Sequence, residues 1–402
     1  MNYLILDTES TGAISSKQFE NYRPSKGSAL DPRNHLCYVG YGNDSNFVTI
    51  PIEYEVGIPF ASALRDIQVA IDSSTVVVLF NAKHDLHWLR RYGIKFQHRN
   101  IWDCQLAEFI INGQETPFPS LDTVSIKYGG TGKLDMVKQE YWAKGIDTDL
   151  VPKEILTEYL NQDLISTEQV FLGQVEYLKD KPLLKRLIWL NCQDEIITEE
   201  MEWNGLHFDI PGLLKHAEKL ETEIIATDQE LHALFPYPQM NWASPLQVSA
   251  VLYGGTIEYK EKEEYLFTYK NSKKPPTNKS RWITKKIECP RLAEPLPRSE
   301  TSTPGVFSTD NKILRQLKIH GPSKRILDLL LARRDAQTQI KRYFRGIPDK
   351  YTEMGWRDGI IHGQLHHVVA ATGRMSSSNP NQQNIDERAR TCLKTRFKIL
   401  HS

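Results

Sequence analysis

Three short acidic segments carry the residues best suited to chemistry. Asp7 and Glu9 close the apolar run Tyr3-Leu4-Ile5-Leu6, Asp85 closes Asn81-Ala82-Lys83-His84-Asp85, and Tyr159 and Asp163 frame Tyr159-Leu160-Asn161-Gln162-Asp163. A β-strand turns alternate side chains to opposite faces, so Asp7 and Glu9 project to one side of a strand end and can ligate one ion. Carboxylate oxygens are the hard ligands that Mg²⁺ and Mn²⁺ prefer, and two such ions can clamp the attacking and leaving oxygens of a phosphodiester. The chemistry suggested is metal-dependent phosphodiester hydrolysis. Each segment alone has a plainer reading: a solvated turn for Asp7 and Glu9, a first-turn residue favoured by the helix dipole for Asp85, and a surface helix pair for Tyr159 and Asp163. Their conjunction is the signal.

The elements that must position these residues are legible nearby. Residues 35–42 and 46–52 are β-rich and separated by Asn43-Asp44-Ser45, which predicts a hairpin after the first strand. Residues 60–72 have helical spacing. Thr75-Val76-Val77-Val78-Leu79-Phe80 predicts a buried strand with Asn81 at its tip, placing Asp85 just beyond a central strand. Pro152 is placed at the first turn of a helix that runs through Asp163 towards Leu178. Residues 186–234 predict long helices, and Trp88, Trp102, Trp142 and Trp189 are expected in the core. His87 is expected to pack or face solvent rather than bind metal.

At 402 residues, with 40% hydrophobic and 25% charged, the chain is long enough for two or three domains. Its five cysteines are scattered, with neither zinc-site nor disulfide spacing, which fits a reducing, cytoplasmic setting. Neither a signal peptide nor a membrane segment is expected. Net charge is zero, but Tyr259 to Arg298 holds 11 Lys or Arg against 5 Asp or Glu, and Arg315 to Arg345 holds 9 against 2. These stretches are candidates to face phosphates, with a solvated loop the equal alternative for the first.

In order, spacing and supporting residues the three acidic segments resemble the motifs of the DEDD exonucleases, the DnaQ-like group of the ribonuclease H-like fold, in its tyrosine subgroup. The resemblance implies that Asp7, Glu9 and Asp163 hold one of two divalent ions, Mg²⁺ or Mn²⁺. It also implies that Asp7 bridges to the second, that Asp85 reaches that ion through water, and that Tyr159 orients the attacking water.

A second resemblance covers the remainder. Glu200-Met201-Glu202-Trp203-Asn204-Gly205-Leu206-His207-Phe208-Asp209 and Asn241-Trp242-Ala243-Ser244-Pro245-Leu246-Gln247-Val248 look like segments that open the thumb in family A, Klenow-type DNA polymerases. Ala371-Thr372-Gly373-Arg374-Met375-Ser376-Ser377-Ser378-Asn379-Pro380-Asn381-Gln382-Gln383-Asn384-Ile385 is close to that family's Thr-Gly-Arg-Leu-Ser-Ser-x-x-Pro-Asn-Leu-Gln-Asn-Ile signature, with Gln382 in place of Leu. Arg374 can donate bidentately and the amides of Asn381, Gln383 and Asn384 both donate and accept, which suits minor-groove acceptors and sugar oxygens. The resemblance implies that Arg374 reads the primer-terminal pair.

The family's later motifs, Asp-Tyr-Ser-x-x-Glu, a lysine-bearing fingers helix and a His-Asp-Glu turn, do not occur before Ser402. The expected organisation is therefore an α/β ribonuclease H-like (DnaQ-like) exonuclease domain over 1–180, then a mostly helical thumb-like region over 181–345, and the first part of a palm over 346–402. A Lys- and Pro-rich insertion is expected at about 255–305. The expected function is 3′–5′ proofreading exonuclease and DNA-binding part of a split or truncated, phage-like polymerase, active in synthesis only with a separate palm–fingers chain. Its partners are then that chain, single-stranded 3′ ends and primer–template duplex, in the cytoplasm or, if phage-encoded, the host cytoplasm. The alternatives are a self-sufficient 3′–5′ exonuclease and a non-catalytic DNA-binding subunit of a replication complex.

Overall fold

Strand parity organises the N-terminal domain. In the computed structural model, which describes residues 2–12, 27–54, 61–130, 136–235, 240–268, 275–321 and 323–395, the first apolar run becomes β1 (Tyr3–Ser10). It is followed by β2 (Leu36–Asn43) and β3 (Asn46–Pro51), joined by the expected Asn43-Asp44-Ser45 turn with Asp44 and Ser45 at positive φ. Then come α1 (Ala61–Ser73), β4 (Val76–Leu79), α2 (Ala82–Arg91) and β5 (Asn100–Asp103). The sheet order is β3-β2-β1-β4-β5, with β1, β2 and β3 antiparallel and β4 and β5 parallel to β1.

Tyr3 and Ile5 point to one face of this sheet and Leu4 and Leu6 to the other, each set joining a separate buried cluster. The first face is covered by α3 (Cys104–Ile111), α4 (Leu121–Lys127), α5 (Met136–Glu140), α6 (Lys153–Tyr177) and α7 (Pro182–Asn204). The second is covered by α1 and α2 through Ile67, Ile71, Leu86, Trp88 and Leu89. Pro152 stands at the N-cap of α6, one position before the helical turn in which it was expected. Trp88 and Trp102 are buried and Trp142 is partly buried, but Trp189 is 42% exposed, because α7 turns its other side to the sheet through Ile188 and Cys192.

Two compact units emerge: residues 1–213 with 346–402, and residues 214–345. Thus α7, within the region expected to be thumb, lies in the first unit, as do β6 (Leu206–His207) and the start of α8 (Ile210–Leu234). The second unit continues with α9 (Pro245–Tyr253) and the long hairpin β7 (Gly255–Phe267) and β8 (Thr277–Cys289), followed by α10 (Asn311–Leu314) and α11 (Ser323–Gln339), the last running into a π-helical turn at Ile340–Phe344. Its core gathers Trp242, Val251, Tyr253, Leu314 and Leu330. The chain then returns to the first unit with α12 (Gly346–Glu353), β9 (Ile360–Ile361), β10 (Gln364–His366), β11 (Ser376–Ser378) and α13 (Glu387–Arg390). There β9 pairs with β6, and β10 with β11. Residues 396–402, the end of the expected palm segment, and 269–274, inside the expected insertion, lie outside the described residues. No described helix is long and apolar enough to cross a membrane.

Candidate metal centre and nucleic-acid-facing segment

The parity that sorts the core also sorts the site. Asp7 and Glu9 continue the Tyr3 and Ile5 series, so they face α6, the helix carrying Tyr159 and Asp163. Gly40, opposite Asp7 in the β1–β2 ladder, lets α6 come close: a Cβ there would stand 2.6 Å from Leu164 Cδ1 and 3.0 Å from Leu160 Cγ. Carboxylate oxygens of Asp7, Glu9 and Asp163 consequently lie within 4.8 Å of one another, with Glu9 and Asp163 buried. Three convergent carboxylates fit a hard divalent cation, whose charge would offset the cost of packing acidic groups this closely.

Thr8 follows the opposite parity and faces α2, where its hydroxyl donates to Asp85 Oδ1 at 2.6 Å. Asp85 is therefore held beside the three-carboxylate group rather than within it. Burial, then the charge of Asp7, pushes its carboxyl well above the usual range, while the Thr8 hydrogen bond opposes that rise. Asp103 fixes the start of α2 by accepting from the amides of Asn81 at 3.0 Å and Ala82 at 2.8 Å, and it also caps α3.

Tyr159 is 4% exposed, and its ring meets Trp142 edge-on at 5.8 Å. Burial first, then Glu9, Asp163 and Asp7, drives its phenol pKa upward, so the hydroxyl keeps its proton and can position water but not act as a base. Burial pushes His84 down to about 4 and, with Lys83 nearby, His87 down to about 3. Both are neutral near pH 7, and His87 packs as expected, against the Glu199 carbonyl at 3.3 Å. Sequence reasoning missed Thr8, Gly40 and Asp103. Only Thr8 had a visible cue, its place between the two acidic residues.

The second expected site lies on the β10–β11 pair. Arg374, Asn381, Gln383 and Asn384 are exposed around β11. The Gln383 amide donates to the Met375 carbonyl at 3.0 Å, and the Asn381 carboxamide accepts from the Gln383 backbone at 3.0 Å, so the loop is braced from within.

The basic stretches differ from expectation. Five of the nine cations in 315–345 form ion pairs: Arg315 with Asp335, Lys324 with Asp328, and Arg325, Arg333 and Arg345 with Glu230, Asp228 and Glu221 of α8. The expected open cationic face is therefore corrected to a partly neutralised one, in which three of the five paired cations meet carboxylates of α8 that lie outside the stretch in sequence. The β7 and β8 strands carry six Lys or Arg and five Glu, with cross-strand pairs such as Glu258–Lys286 at 2.7 Å and Glu263–Arg281 at 2.7 Å.

Comparison with known proteins locates the polymerase likeness. The family described as DNA polymerase family A matches residues 280–400. DNA polymerase I of Synechocystis sp. is 24% identical over 373 residues, covering 90% of this chain and 33% of that protein. DNA polymerase I of Bacillus subtilis is 22% identical over 331 residues, 81% of this chain and 31% of that protein. For Aquifex aeolicus DNA polymerase I the values are 22% over 404 residues, 98% and 56%. The chain thus spans about a third of the length of the first two relatives and 56% of the third. The POL domain of Pol1 from M. smegmatis, solved in complex with DNA primer-template and dNTP, has the same mixed α/β fold, with a TM-score of 0.61, 18% identity, and coverage of 89% of this chain and 51% of that one.

These matches correct the expected function. A 3′–5′ exonuclease part of a split polymerase without synthetic function of its own, and the alternative of a self-sufficient exonuclease, gave the chain's purpose to the acidic motifs. The relatives are DNA polymerases and the solved likeness is to a polymerase domain. Conspicuous carboxylates drew the reading towards hydrolysis, whereas the family match falls on the segment that displays Arg374.

Proposed function

We propose that this chain serves templated DNA synthesis as part of a family A DNA polymerase, holding primer–template DNA on the Arg374 segment. Its N-terminal domain, of ribonuclease H-like (DnaQ-like) build, then adds a site for two divalent cations, Mg²⁺ or Mn²⁺, that acts on phosphodiesters of the same DNA. The family match over 280–400, with Arg374 and the three amides exposed inside it, carries the first part. The convergence of Asp7, Glu9 and Asp163 carries the second.

In this reading residues 181–345 serve as the thumb-like region and 346–402 as the start of a palm. Asp7, Glu9 and Asp163 would hold one cation, and Asp85, beside them, would serve a second. Bound cations would supply an acidified water and charge neutralisation at the phosphate. Tyr159, its proton retained, would donate to and orient that water, and Glu9 and Asp163 are themselves buried from bulk solvent. Outward on α7, Leu183, Leu187, Leu190, Ile197 and Met201 recur every three or four residues apart from Asp194 and are exposed. Such a stripe suits a further polymerase segment or chain packing there. Five free, buried cysteines favour a reducing cytoplasmic setting.

The test is a paired measurement on the purified chain. Primer–template duplex should bind with salt-dependent affinity, and Mn²⁺ should bind and support cleavage of a labelled strand. Replacing Asp7 and Glu9 together by Ala should remove cation binding and cleavage while duplex binding persists. Tyr159→Phe should slow cleavage by roughly a hundredfold with cation affinity retained, since only water placement changes. Duplex affinity no better than that of a neutral protein would refute the polymerase role, and cation binding unchanged in the double variant would refute the site.

A further inference from the structure

Lys83 belongs to the second acidic segment, two residues before Asp85, but its side chain leads away from the carboxylates. Its ammonium is 2.7 Å from Glu202 Oε1 on α7 and also donates to the Leu365 carbonyl of β10. The same Glu202 oxygen accepts the Leu365 amide at 2.5 Å. Both main-chain groups of Leu365 are thus taken by one buried ion pair, with Lys83 13% and Glu202 5% exposed. His362 adds a contact to the Glu202 carbonyl at 2.9 Å, and Thr198 of α7 meets His367 at 3.0 Å.

Leu365 is the middle residue of β10, paired with Ser377 of β11. Ser377 in turn accepts the Gln382 amide at 3.0 Å. Arg374 precedes β11 and Asn381 follows it, so the exposed residues hang from a strand whose neighbour is fixed at its centre by Lys83 and Glu202. Two residues along α2 from that clamp, Asp85 takes its hydrogen bond from Thr8. The path from Arg374 to Asp85 thus runs along the main chain into β11, across the β10–β11 ladder, through the Lys83–Glu202–Leu365 hydrogen bonds and over two residues of α2, all within one compact unit.

We propose that Lys83 is a positioning residue that couples the two sites: duplex held on the Arg374 segment steadies β10, and through the Lys83–Glu202–Leu365 clamp steadies α2, so that the acidic cluster binds divalent cation more tightly. The coupling rests on the proposed cation site, and by thermodynamic reciprocity the cation must tighten duplex binding by the same factor. A purely structural role for Lys83 would alter stability without altering this linkage.

The experiment is a Mn²⁺ titration of the full chain by electron paramagnetic resonance, with and without saturating primer–template duplex, using duplex alone and the Asp7→Ala protein as blanks. Lys83→Met would leave the Glu202 carboxylate buried without its cation, so the double variant Lys83→Met with Glu202→Gln is used to keep the fold. Wild type should bind Mn²⁺ about fivefold or more tightly with duplex present, the double variant less than about twofold, and Lys83→Arg, which can still reach both partners, should retain the effect. Electrostatic attraction of cations by DNA acts alike on all variants and cancels in the comparison. Equal coupling in wild type and double variant overturns the proposal, as does Mn²⁺ binding by wild type that ignores duplex. Wild type indistinguishable from Asp7→Ala overturns the cation site itself and the coupling with it.

Discussion

The Thr8 hydroxyl and Asp85 Oδ1 meet at 2.6 Å across the face of the sheet opposite to Asp7 and Glu9. One strand end thereby serves two sets of carboxyl groups, one through its odd positions and one through its even position. Because the Thr8 bond stabilises the charged form of a carboxyl whose pKa burial and Asp7 have raised, its loss should raise that pKa further. In Thr8→Val, Mn²⁺ binding should weaken and its pH midpoint move to higher pH, since the cation must displace a more firmly held proton. Calorimetric titration between pH 5.5 and 8.5 measures it, and an unmoved midpoint would show that Asp85 takes no part in binding.

Gly40 lets the sheet and α6 approach closely enough for Asp163 to reach Asp7. In Gly40→Val the added methyl groups would occupy the space of Leu160 and Leu164 side chains and push the helix outward. Overpacking of this kind costs about 1–3 kcal/mol, so the domain should still fold while cation affinity falls by tenfold or more. Urea denaturation and Mn²⁺ titration on the same sample separate the two effects. Full affinity in a destabilised protein would mean that the helix does not set the cluster.

How far the sequence could go differs between these elements. The β1, β2, β3, β4 and α6 boundaries were readable because alternation, a turn triplet and a valine run are local signals. The carboxylate cluster followed from parity and helix spacing. Gly40 was not readable, because what makes it matter is a helix over a hundred residues away in the chain. The charge of 315–345 was misread for the same reason: Asp228, Glu221 and Glu230 lie on α8, and only folding brings them to the arginines. Lys83 sat inside a recognised motif, yet its partner Leu365 belongs to the other end of the chain.

Arg374 is exposed, so its replacement should leave the fold intact and report on DNA alone. A good bidentate contact to a base edge is worth about 1–3 kcal/mol, and Arg374→Ala should weaken primer–template binding by a corresponding five- to 150-fold. The salt slope should change by no more than about one unit, as a single cation is lost. Fluorescence anisotropy at several salt concentrations tests both values. Unchanged affinity would remove Arg374 from the interface.

Glu195 of α7 gives a prediction about stability rather than binding. It is buried, its Oε2 has no hydrogen-bond partner among the described residues, and burial, then the charge of Asp103, holds its carboxyl well above the usual range. The folded protein therefore keeps a proton on Glu195 that the unfolded chain releases above its ordinary value of 4.5. Between the unfolded and folded pKa values the native state binds more protons, so stability falls as pH rises, with a limiting slope of about 1.4 kcal/mol per pH unit from this group. Glu195→Gln keeps the side chain's size and has no proton to lose. Its stability, measured by urea denaturation at pH 6 and pH 9, should decline less than that of wild type over this interval. Parallel decline in the two proteins would mean that Glu195 is already ionised in the fold at pH 6, with Lys83 rather than Asp103 setting its state.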